Sequence, residues 1–127
     1  MDSKFYVSLE AARLLKEKGY NEECEYAYNE INMQIERIGA NANCISDYCS
    51  APTKTEAIDW LESKGIVVEL SYDDKGHLDK ALWEYFVYAH DKNGWVDAMV
   101  CNWKDYNYYK TRLEAEEAAI IKACELL

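Results

Sequence analysis

No run in this sequence approaches roughly 18 consecutive apolar residues, the length a membrane-spanning helix needs, so a helical membrane protein is excluded. The first twenty residues lack an apolar stretch as well, because Glu10, Arg13, Lys16 and Lys18 interrupt every run, and no secretion signal is expected. Cations are scarce: 14 Lys and Arg stand against 24 Asp and Glu, for a formal charge of -10. That balance repels polyanions unless the few cations gather on one face. Histidine is limited to His77 and His90, and Cys44 and Cys49 form the only close cysteine pair. A zinc site shows two pairs at tighter spacing, so no metal or other cofactor is expected. The five cysteines are odd in number, which together with the missing export signal implies free thiols in a reducing, cytoplasmic setting. No G-x-G-x-x-G, P-loop, H-E-x-x-H or G-x-S-x-G pattern occurs, and an enzyme is not expected.

What is present is a 127-residue chain, half hydrophobic and 30% charged, which reads as a single globular domain over residues 1–127. Ser8 ahead of Leu9 and Gly19 after Lys18 bound a first helix with Ala11, Leu14 and Leu15 as its apolar stripe. Between residues 21 and 50 two periodicities compete. Cys24, Tyr28, Ile31, Ile35 and Ile38 fit a helix, whereas Cys24/Tyr26/Tyr28 and Ile31/Met33/Ile35 alternate as a hairpin does, and pattern alone does not decide. Gly39 to Ser50 reads as a loop, ended by the sole proline, Pro52. Thr53 and Glu56 then form a T-x-x-E capping box for a second helix, with Ala57, Ile58 and Leu61 as its stripe, Trp60 at the edge and Gly65 as its stop.

Ile66, Val68, Leu70 and Tyr72 alternate with Val67, Glu69 and Ser71, which predicts a strand covered on one side, with a turn at Asp73 to Gly76. Ala81 to His90 and Trp95 to Trp103 flank Asp91-Lys92-Asn93-Gly94 and predict a hairpin. With Asn93-Gly94 at the centre of a type I′ turn, counting sets Lys92 opposite Trp95, His90 opposite Asp97, Tyr88 opposite Met99, Phe86 opposite Cys101 and Glu84 opposite Trp103. The alternate residues pair Val87 with Val100, Ala89 with Ala98 and Tyr85 with Asn102. Thr111 and Glu114 repeat the capping-box spacing and open a C-terminal helix whose apolar arc centres on Leu113, Ile120, Cys124 and Leu127. The expected fold class is α+β: an antiparallel sheet of three or more strands with helices on one face, in the order α-(β)-α-β-β-β-α.

Several short signatures together resemble a group of small proteins of Bacteroidetes phages and prophages. They are Val7-Ser8-Leu9-Glu10-Ala11-Ala12 into Leu14 to Gly19, then Glu23-Cys24-Glu25-Tyr26, then Ser50-Ala51-Pro52-Thr53 with Trp60-Leu61, and finally Glu114-Ala115-Glu116-Glu117-Ala118. The resemblance implies a strand over Cys24 to Tyr28 and carries no established activity and no functional residue. From Thr53 onward the order α-β-β-β-α is similar to the double-stranded RNA-binding domain. In that comparison Leu113 and Glu116 occupy positions where a lysine-rich helix start is expected. Acidic residues also outnumber basic ones ten to five between Thr53 and Trp103, so the chemistry of phosphate binding is missing.

His90 opposite Asp97 would be an ion pair at a hairpin tip, screened by water and without a nucleophile in line, so no catalytic residue is assigned. The aromatic content is more informative. Eleven tyrosines and four tryptophans exceed what this core needs, and both side chains give contact area while tolerating a wet edge. In the counted register one hairpin face carries the slim residues Val87, Ala89, Val96, Ala98 and Val100, suited to packed helices. The other carries Phe86, Tyr88, Trp95, Met99 and Trp103 among Glu84, His90 and Asp97. This ring face is the candidate surface for a protein partner or for self-association, with nucleic acid and membrane disfavoured; the alternative is that Ile31 to Tyr48 covers it as core.

Overall fold

The computed structural model of the chain describes residues 1–73, 82–101 and 108–127. The architecture is α+β, with three α-helices and two antiparallel three-stranded sheets among the described residues. Two compact units divide the chain, Met1–Ala57 and Ile58–Leu127.

In the first unit, helix α1 (Leu9–Glu17) begins where the Ser8 hydroxyl accepts the Ala11 N–H at 3.1 Å, and it buries Ala11, Ala12 and Leu15. The contested stretch resolves as strands. β1 (Cys24–Asn29) and β2 (Gln34–Ala40) form a hairpin, and β3 (Tyr48–Ser50) pairs on the other side of β1, giving the order β2-β1-β3. Ile31 and Met33, which lie in the competing helical and strand patterns, sit instead at the hairpin tip, 75% and 63% exposed. Met33 there holds a left-handed backbone, φ 59°, a conformation that favours glycine or asparagine. The loop expected from Gly39 to Ser50 contains the end of β2, a 3₁₀ turn at Ala42–Cys44 and β3. The Asn43 side chain organises it, donating to the Tyr20 carbonyl at 2.7 Å and accepting the Ser50 N–H at 2.8 Å.

Helix α2 (Lys54–Ser63) carries the boundary between the units. Its capping box is complete: the Thr53 hydroxyl accepts the Glu56 N–H at 3.1 Å and the Glu56 carboxylate accepts the Thr53 N–H at 2.9 Å. Trp60, expected at the edge of its stripe, is buried, and Ile58 is only half-buried. Gly65, at φ 87°, ends the helix and turns the chain so that its carbonyl accepts the His90 N–H at 2.8 Å.

The second sheet has the order β4-β5-β6, from β4 (Ile66–Asp73), β5 (Leu82–His90) and β6 (Val96–Cys101). The counted pairs Phe86–Cys101, Val87–Val100, Tyr88–Met99 and Ala89–Ala98 are all present. The tip differs from expectation. Gly94 N–H bonds the Asp91 carbonyl at 3.0 Å, so Lys92 and Asn93 are the central residues, and the left-handed residue is Gly94 alone at φ 83°. This is a type I turn closed by a glycine bulge rather than a type I′ turn. The turn is held by the Asp91 carboxylate, which accepts the N–H groups of Asn93 at 2.8 Å and Trp95 at 3.1 Å. Asp91 therefore meets Trp95, which displaces the expected Lys92–Trp95 pair, and His90 meets Val96 rather than Asp97. A second irregularity between Ala89 and His90 takes up Asp97 as an extra residue and returns the rest of the hairpin to the counted register.

Helix α3 (Arg112–Glu125) starts with the Thr111 hydroxyl accepting the Glu114 N–H at 3.1 Å and packs against β5 and β4. Its buried side is Ala115, Glu116, Ala119, Ile120, Ala123 and Cys124. The arc is thus rotated from the expected centre: Ile120 and Cys124 are in it, Leu113 is half-buried and Leu127 is exposed. Small alanines allow the helix backbone to come close to a sheet, which longer side chains at those positions would prevent. The expected turn after Asp73, the pairs Glu84–Trp103 and Tyr85–Asn102, and most of the tyrosine-rich connection before Thr111 lie outside the described residues.

Candidate functional site

Side chains alternate along β5, and the alternation separates core from surface. Tyr85 and Val87 are buried on the side that α3 covers, as is Ile66 on β4. On that same side Trp83 lies beneath the Arg112 guanidinium at 5.6 Å, and Tyr85 lies beside Tyr109 with ring centres 6.2 Å apart. The even-numbered residues face the other way. Phe86 and Tyr88 are half-buried, their rings nearly parallel with centres 6.4 Å apart. Across from Tyr88, Met99 is 42% exposed, and Trp95 at the tip is 74% exposed. Four of the five expected site residues, Phe86, Tyr88, Met99 and Trp95, are thus at least partly open to solvent. Trp103 lies outside the described residues.

Strand β4 adds residues that counting along the hairpin did not include. Val67 pairs with Tyr88, Glu69 with Phe86 and Ser71 with Glu84, so an apolar and an acidic side chain extend the ring face in line with its two rings. Their alternation was visible in the sequence; their alignment with the rings was not, because it depends on a connection with no recognisable two-residue turn. Val96 was expected on the slim face. The bulge at Asp97 brings it opposite His90, and it is exposed. At the other end the face closes, since Cys101 opposite Phe86 is fully buried.

The His90–Asp97 pair does not form in this register, and the His90 ring Nδ1 lies 3.3 Å from the Gly65 carbonyl. Cys44 is exposed and Cys49 is buried, and among the described residues no group of three His, Cys, Asp or Glu side chains is placed to hold a metal ion. Burial, with a hydrogen bond to Glu30, pushes the Cys49 thiol up to about 12. Burial likewise raises Cys24, whose sulfur lies 3.7 Å from the Tyr20 hydroxyl, and raises Tyr20 itself. A thiol held protonated in this way is a poor nucleophile. No helix among the described residues is long and apolar enough to cross a membrane. No protein-family model, no curated protein and no solved structure matches the chain.

Proposed function

We propose that this chain is a non-enzymatic accessory protein of phage or prophage origin, working in the bacterial cytoplasm through protein–protein contacts of the β5–β6 ring face. The observation that carries this reading is the sorting along one strand: Tyr85 and Val87 are buried beneath α3, while Phe86 and Tyr88 remain part-exposed beside Met99. Aromatic rings and a methionine left at a wet surface are the residue types that anchor protein interfaces. The test is affinity capture from lysogenic or infected cells with the tagged chain and with Tyr88→Ala. A partner retained by the parent chain and lost with the variant, while the variant stays folded, supports the reading; retention by both removes it.

A second reading is favoured by topology alone. Helix α2, the order β4-β5-β6 and helix α3 repeat the α-β-β-β-α arrangement of the double-stranded RNA-binding domain. Against it, Arg112 at the start of α3 is engaged by Glu116 at 2.9 Å and by the Trp83 ring rather than offered to phosphate. Salt-dependent binding of duplex RNA, lost on neutralising Lys110 and Arg112, would establish it.

A further inference from the structure

We infer that the partner of the ring face is a protein segment bearing lysine or arginine, whose cation lies against the Phe86 and Tyr88 rings and the Glu69 carboxylate. This rests on the reading of that face as a docking surface and specifies the chemistry it selects. Strands β4, β5 and β6 contain no lysine or arginine, although they carry Glu69, Glu84 and Asp97. Glu69 is exposed directly across from Phe86, and neither it nor Asp97 has an ion pair among the described residues. Elsewhere the chain answers a ring with its own cation. The Lys64 ammonium lies 5.5 Å from the Trp60 ring centre, and the Lys4 ammonium 5.2 Å from that of Phe5.

The other side of the same sheet shows the complete arrangement. There the Arg112 guanidinium lies 5.6 Å over Trp83 while its Nε reaches the Glu116 carboxylate at 2.9 Å. Ring and carboxylate together hold a guanidinium, because the negative face of the ring and the anion act on the same charge. The ring face repeats the ring and the carboxylate, in Phe86 with Glu69 and in Tyr88 beside them, without a lysine or arginine in the three strands. A second copy of this chain would bring Glu69 and Asp97 towards the same carboxylates, so self-association across this face is opposed by like charge. A basic segment with apolar neighbours satisfies the rings, Val67 and Met99, and the carboxylates at once.

The test uses the full chain, labelled with 15N, and two acetylated pentapeptide amides, Leu-Arg-Leu-Arg-Leu and Leu-Gln-Leu-Gln-Leu. The arginine peptide is expected to shift the amide signals of β5 and β6 and the Trp95 indole. The glutamine peptide should act on the same signals at least about threefold more weakly, and Glu69→Gln should abolish most of that difference. Equal affinity of both peptides at those signals overturns the cationic partner and leaves the docking surface standing. Absence of shifts in β5 and β6 with either peptide overturns both. Arginine-peptide shifts spread evenly over the acidic surface, or a dimer in sedimentation that Tyr88→Ala dissolves, also overturn the inference.

Discussion

Both sheets follow a helix and both are antiparallel and three-stranded, yet they dispose of charge in opposite ways. Around the first sheet two cations are matched at home. Arg37 on β2 meets Glu25 on β1 at 3.3 Å, and Lys16 of α1 donates to the Tyr48 carbonyl at 2.7 Å while lying 4.0 Å from Glu30. The second sheet has no cation in its strands and leaves Glu69 exposed across from Phe86. A strand order of β2-β1-β3 places the hairpin strand β1 at the centre with both neighbours closing on it, and β4-β5-β6 does the same for β5. The connections differ, the second sheet being a meander and the first not, but each sheet has one central and two outer strands. The first sheet pairs its one strand cation within its own unit, although the Glu36 carboxylate on β2 keeps a buried oxygen without a hydrogen-bond partner among the described residues, and the second sheet presents rings beside carboxylates.

The largest loss of stability is expected at Tyr85. It is almost fully buried under α3, so Tyr85→Ala is expected to cost about 3–4 kcal/mol, read as a lower denaturant midpoint at unchanged slope. A cost near that of a surface site would mean that α3 does not seal this side of the sheet. The first sheet is sensitive to alkali instead. The Cys49 thiol is raised from 9.0 to about 12, so the unfolded chain releases its proton first. Stability is kept below pH 9 and falls as pH rises from about 9 towards 12. Cys49→Ala, less stable at neutral pH, should lose less across that interval, and an identical alkaline slope would locate the sensitivity elsewhere.

A smaller effect is expected three residues further along β5, on its other face. Tyr88→Ala should cost less than Tyr85→Ala, about 1–2 kcal/mol, since its ring is only half-buried, and its consequence should appear in partner binding. Comparable losses at Tyr85 and Tyr88 would erase the distinction between the two faces. The smallest change has the opposite sign. Met33→Asn relieves a left-handed backbone at an exposed tip and should stabilise the chain by about 0.5–1 kcal/mol, measured as a higher thermal midpoint.

What the sequence discloses follows from where its signals are local. Ser8, Thr53 and Thr111 each cap the helix expected of them, because a hydroxyl accepting an N–H three residues on is a short-range event. The β5–β6 register from Ala89 to Phe86 emerges from counting, although the route to it differs. The one-residue error at the Asp91–Gly94 turn is cancelled by the one-residue bulge at Asp97, and the casualties are His90–Asp97 and Val96, which lie between the two. Strand β3 is not legible, since its three residues carry no period and its placement depends on Asn43 bridging Tyr20 and Ser50. Glu69 enters the candidate site only through the pairing of β4 with β5, a long-range contact without a local sign. The rotation of α3 onto its alanines reflects shape rather than hydrophobicity, which a pattern of apolar positions does not record.

The extra residue at Asp97 has a bearing on solubility. β6 is an outer strand of its sheet, and an outer strand that is flat and apolar invites indefinite stacking of one molecule on the next. A kink in the backbone, with an exposed carboxylate upon it, spoils that ladder for any regular newcomer. Sticky side chains such as Trp95 and Met99 thus stand in water beside an edge whose kink and charge disfavour regular stacking.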